Sequence, residues 1–172
     1  MITMVDIQDI AKYTILRLIQ NGDSICPLKL QKVLYYIQAW HMVYFGRKNT
    51  LFLDIPEAWV NGPVYRKVYE TYKNIPIYEQ IKPSYFNFKN SQELIKNIKE
   101  LFTKLSLGEE QNRFIESIYR HYGTMSHDRL VFLTHSQKPW NEARQGLEAF
   151  EYSNQVIELD KMFQYYSEMN KK

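Results

Sequence analysis

The sequence predicts an all-α fold, a compact single-domain helical bundle around one central apolar helix (27–45). Three observations predict it. Gly and Pro contribute only six residues each to a chain of 172, about 7% against about 12% in average proteins, so turns are scarce. Apolar residues recur at helical rather than alternating spacing over most of the length. One stretch, PLKLQKVLYYIQAWHMVYF, is apolar on nearly every side, as in a helix that neighbours enclose. The length suits one domain spanning 1–172, with room for one short strand or hairpin near 51–61.

Each element has its own signals. Thr3 with Asp6 has capping-box spacing, and Ile7, Ile10, Ala11, Thr14 and Leu18 mark one helical face that Asn21-Gly22 closes. Pro27 occupies a first-turn position and Gly46 ends the central helix. Within that helix Leu30, Val33, Ile37, Trp40 and Tyr44 fall in one arc of roughly 80°. Its polar residues divide into Gln31, Gln38 and His41 on one side and Lys29, Lys32 and Tyr36 on another. A loop over 47–56 carries Leu51-Phe52-Leu53, Glu57 to Asn61 reads as extended, and Gly62-Pro63 turns the chain into a helix over 64–74. Pro76 and Pro83 bracket an irregular stretch to Phe88. Asn90 and Glu93 cap a helix through Leu105, Ser106 to Glu109 forms a second box, and the helix it starts ends at Gly123. Ser126 caps a short helix through Leu133 and Pro139 opens another. The last helix spans 154–169, with Val156, Leu159, Phe163 and Tyr166 inward.

Composition narrows the function. The formal charge is +3, all of it in residues 1–75, too weak and too spread for a nucleic-acid binder. The longest apolar run, Val33 to Ile37, falls far short of the ~18 residues of a membrane span. The N-terminus lacks a signal-peptide pattern, so a soluble, cytoplasmic protein is expected. A single cysteine, Cys26, rules out a disulfide framework and reads as a small buried side chain. The four histidines, His41, His121, His127 and His135, have no metal-motif spacing, and no nucleotide or nucleophile motif occurs. No metal and no cofactor is expected, nor is an enzyme; the best catalytic grouping the residues offer, Gln38, His41, Glu57 and His135, depends on the fold to assemble it. Tyrosine is abundant at 14 residues and suits contact surfaces as well as cores. Lys29, Lys32 and Tyr36 combine two cations with a ring. With Asn61, Arg66 and Lys67 they make up the candidate partner-binding set.

Three blocks carry a family resemblance: PLKLQKVLYYIQAWHMVYFG (27–46), IPEAWVNGPVYRKVYETYK (55–73) and, more loosely, SHDRLVFLTHSQKPWNEAR (126–144). In order and spacing they resemble the Panacea, or SocA-like, antitoxin domain of bacterial and phage toxin–antitoxin pairs. The matching positions include Leu30, Gln31, Tyr35, Trp40, Glu57, Trp59, Gly62, Pro63, His135 and Trp140. The resemblance implies a helical antitoxin that neutralises a cognate protein toxin, encoded by an adjacent gene, through direct contact. The alternative is an adaptor or host-interaction protein of a mobile element that presents a bound protein to a protease or other machine, with a protease or chaperone as its further partner. Some relatives carry an extra DNA-binding segment, for which a single domain of this length leaves no room. The signature has a structural use too: the tryptophans can anchor a core, and Lys29 or Lys32 can pair with Glu57 to close the first block on the second.

Overall fold

The structure, a computed structural model, describes residues 2–172. The helices are α1 (Ile7–Gln20), α2 (Pro27–Phe45), α3 (Arg66–Tyr72), α4 (Ser91–Leu105), α5 (Glu109–His121), α6 (His127–His135), α7 (Lys138–Ala143) and α8 (Leu159–Asn170). Between α2 and α3 lies an antiparallel hairpin, β1 (Glu57–Trp59) and β2 (Gly62–Val64), in register Glu57 with Val64 and Trp59 with Gly62. A 3₁₀ turn, Pro83–Phe86, falls in the irregular stretch before α4. The fold is mostly α, as the periodicity predicts, and the extended piece near 57 is one arm of the hairpin.

The central helix is central in fact. α2 packs against α1, α3, α5, α6, α8 and the hairpin, while α1 also rests on α4. It leaves Leu30, Val33, Leu34, Tyr36, Ile37, Gln38, Ala39, His41 and Met42 with no exposed surface. Polar groups so placed lose water and must find partners. Gln38 donates to the Phe52 carbonyl at 2.6 Å and accepts from the Leu51 amide at 2.8 Å. That pairing pins the 47–56 loop and buries Leu51 and Phe52, leaving Leu53 outside. Tyr36 stacks on Tyr122 at 4.1 Å, and its hydroxyl shares the Gln137 amide oxygen with Tyr166. The Trp40 indole donates to the Tyr122 hydroxyl at 2.8 Å.

Several boundaries differ from expectation, each for a local reason. Asp6 rather than Thr3 caps α1, its carboxylate accepting from the Gln8 amide at 2.7 Å. Thr3 is held instead by Gln111, which accepts from its amide at 2.9 Å and donates to its carbonyl at 2.8 Å. Ser106 does not open α5: it closes α4 in the left-handed conformation, and Gly108 is the cap. Helix α3 starts at Arg66 because 62–64 pair with β1 and Gln31 grips the Tyr65 backbone. The last helix begins at Leu159, not 154. Residues 155–157 lie along β1, with Ala58 donating to Gln155 at 2.8 Å and Ile157 to Pro56 at 2.7 Å. Val156 is consequently exposed rather than inward.

Two predictions follow from the packing of α2. Trp40→Ala removes a partly buried ring and its hydrogen bond, and is expected to cost about 3 kcal/mol in urea unfolding. His41 donates from Nδ1 to the Asn49 carbonyl at 2.7 Å, so its Nε2 accepts from the Gln111 amide at 3.0 Å. Burial lowers its pKa to about 4, the Asn49 contact opposing only in part. Between pH 6.5 and 4 the unfolded chain therefore binds more protons, and stability falls as pH falls. His41→Asn is expected to flatten that decline, which approaches about 3 kcal/mol, in unfolding curves recorded across the window.

Candidate functional site

The hairpin is held by its backbone, from beneath. Lys32 reaches under β2 and its ammonium donates to the Pro63 carbonyl at 2.9 Å. Gln31 accepts from the Tyr65 amide at 2.8 Å and donates to its carbonyl at 3.2 Å. From the other side the Trp140 indole donates to the Trp59 carbonyl at 2.8 Å, and the buried Arg144 guanidinium to the Ala58 carbonyl at 3.0 Å. His135 stacks on Trp140 at 3.9 Å. Gly62 shows why no larger residue fits the turn. Its φ is +108°, and a Cβ there would lie 2.6 Å from Lys32 Cε and 2.9 Å from Thr134 Oγ1. Each of the three sequence blocks contributes here: Gln31 and Lys32 from the first, Gly62 and Pro63 from the second, Trp140 and Arg144 from the third.

Above the clamps is a half-buried aromatic face. The Trp59 ring lies against Tyr69 at 4.8 Å and under the Arg66 guanidinium at 5.2 Å. Glu57 accepts two hydrogen bonds from Arg66, at 2.8 and 3.0 Å, and one from the Trp59 indole at 3.0 Å. Partial burial pushes the Glu57 carboxyl up, but the Arg66 and Trp59 hydrogen bonds outweigh it and hold the pKa below its ordinary value. Beside this face opens an apolar cleft of about 160 Å³. Leu28 and Leu30 of α2, Val64 of β2, Val68 and Tyr72 of α3, and Ile75 and Ile77 line it, with Trp59, Tyr69 and Tyr152 at the hairpin side. Asn61, Gln31 and Lys73 supply its polar lining. Segment 77–81 is tied to the start of α2 by Leu28 donating to Ile77 and Ile81 to Ile25, at 3.1 and 2.8 Å.

The expected binding residues divide sharply. Lys29, Lys32 and Tyr36 are not a surface: they are 1%, 0% and 0% exposed, because α2 is enclosed on that side as well. Lys29 donates to the Ser24 and Gly123 carbonyls, each at 2.6 Å, and Lys32 to Pro63, so neither pairs with Glu57. Asn61 and Arg66 are exposed at the hairpin, as a contact role requires. Lys67 is exposed but turns toward Asp6 at 3.7 Å, on the α1 side. The four residues weighed as a catalytic set do not gather. Gln38 and His41 hold the 47–56 loop, Glu57 holds Arg66, and His135 lies on Trp140. Burial, then Lys32 and Arg144, keep the His135 pKa low. Cys26 is buried, which raises its thiol pKa.

Tyr69, Tyr152 and Arg144 were not legible as site residues. Tyr69 follows Arg66 by one helical turn, a spacing that gives a common face only once the helix is known to start at Arg66. Tyr152 sits in a loop with no periodicity, and Arg144 lies inside the third block without any signal of its carbonyl partners.

The profile of the family described as "Antitoxin SocA-like, Panacea domain" matches residues 30–141, about two thirds of the chain. The chain belongs to that family, and with it to proteins of toxin–antitoxin systems. No curated protein and no solved structure matches it. Among the described residues no helix is long and apolar enough to cross a membrane.

Lys32 is the unusual member of the clamp. Burial lowers its pKa to about 7, against 10.5 ordinarily. From pH 7 to 10 the unfolded chain then holds more protons on this group, so its contribution to stability rises with pH. Lys32→Met replaces a costly buried cation by an apolar chain of similar length. The variant is expected to be at least as stable as the parent at pH 6, and to lack the parent's gain between pH 7 and 10, in paired denaturant titrations.

Proposed function

We propose that this protein is the antitoxin of a toxin–antitoxin pair, and that it neutralises a cognate protein toxin by binding it directly, without catalysing a reaction. Membership of the family supports a toxin–antitoxin role. The observation that supports direct binding is the hairpin: its backbone is clamped by Lys32, Gln31, Trp140 and Arg144, while Trp59, Tyr69, Arg66 and Tyr152 face outward beside an apolar cleft. Rings and an Arg held rigid before contact lose little freedom on binding, and these residue types dominate the energy of protein interfaces. A cleft that receives one apolar side chain, within a contact of roughly 800 Å² on each partner, fits the size of specific complexes. The toxin's gene is expected beside this one.

The test is growth rescue. Products of the flanking genes are expressed alone and with this chain, and one is expected to arrest growth only when alone. Trp59→Ala and Tyr69→Ala are then expected to weaken binding of that toxin by about 10-fold to 100-fold, measured by calorimetry, with melting temperature little changed. No toxic neighbour, or full rescue by both variants, counts against the reading. Rescue in cells without inhibition by the purified pair would favour the adaptor role instead, since that role requires a third component.

A further inference from the structure

A loop at the mouth of the cleft carries the most exposed large apolar residue of those described. Phe150 is 89% exposed and Tyr152 67%. The loop that bears them is closed: Leu147 donates to Arg144 at 3.0 Å, Glu151 to the Glu148 carbonyl at 3.1 Å, and the Glu148 amide to the Glu151 carboxylate at 3.0 Å. Arg144, itself 5% exposed, donates to the Glu148 carbonyl at 3.3 Å and the Glu151 carbonyl at 2.5 Å. The same guanidinium binds Ala58, so loop and hairpin are fixed to each other through one group. With Tyr152, which lines the cleft, the Phe150 ring adds exposed apolar surface beside an apolar cleft, and extended surface of that kind marks interaction sites.

Charge says what it contacts. Glu148 and Glu151 are the exposed carboxylates of this loop, and its one cation, Arg144, is buried and bound to main-chain carbonyls. Among the described residues neither Glu148 nor Glu151 is in an ion pair, whereas Glu57 and Glu70 are neutralised by Arg66 and Lys73. The charge this loop turns to solvent beside the cleft is therefore negative, which disfavours nucleic acid and anionic membrane and favours a basic surface. We propose that the surface received here is cationic protein, an apolar side chain flanked by Lys or Arg. The apolar group enters the cleft, and the basic groups meet Glu148 and Glu151 around Phe150 and Tyr152. This rests on the direct-contact reading above and names the chemistry of its partner.

Two capped peptides test it on the full chain by ¹H–¹⁵N shift mapping: Ac-KRLIRK-NH2 and its counterpart Ac-EELIEE-NH2. The basic peptide is expected to shift the amides of Phe150 and Tyr152 and the indole of Trp59, and to weaken at least fivefold from about 50 to about 300 mM salt. Glu148→Lys with Glu151→Lys is expected to abolish this, Phe150→Ala to weaken it about tenfold, and Glu100→Lys on α4 to leave it unchanged. Equal binding of both peptides, or mapping elsewhere, overturns the assignment. With the rescued toxin in hand, undiminished neutralisation by the double charge-reversal variant overturns it too, and leaves the antitoxin reading standing. Loop-directed binding of the basic peptide by a chain that rescues no toxin supports the assignment and removes the antitoxin reading.

Discussion

The structure depends on one constraint: a helix enclosed nearly all round, with Tyr44 near its end the one well-exposed residue, still carries polar side chains, and each must find a partner in the protein. α2 meets it by directing Lys29, Gln31, Lys32, Gln38 and His41 at main-chain groups of other segments. The loop over 47–56, the hairpin and the chain after α5 are all placed in this way. Apolar packing supplies most of the driving force, but it is non-directional. The position of the irregular segments comes from the carbonyls and amides that α2 holds.

The same arrangement separates two roles within the family blocks. Residues that face inward, Gln31, Lys32, Gly62, Pro63 and Trp140, build the turn and fix its shape. Residues that face outward, Trp59, Asn61 and Arg66, present chemistry to solvent. Cations such as Lys29 and Lys32 look like surface when only their type is known, and are structural once the enclosure of α2 is seen.

Helical spacing made the fold class and the central helix legible, since both depend on near neighbours in sequence. Caps were legible where side chain and amide lie within three residues, as at Asn90 and Ser126. What escaped depends on distant partners. Thr3 is diverted from capping by Gln111, residues 155–157 are drawn into extension by β1, and Arg144 reads as one more charge until its three carbonyls are in place. At the site, Asn61 and Arg66 were legible as exposed polar groups beside a turn, whereas the cleft itself is assembled from four separate stretches of chain.

Clamping the hairpin through its main chain has a consequence for change over time. A carbonyl oxygen is the same in every amino acid, so Lys32, Trp140 and Arg144 would grip the turn whatever side chains positions 59 to 61 carried on its outer side. The outward residues can be exchanged one after another while the support beneath stays intact. Such a scaffold can move from one target to the next by repainting a small area, much as a tool handle accepts different heads.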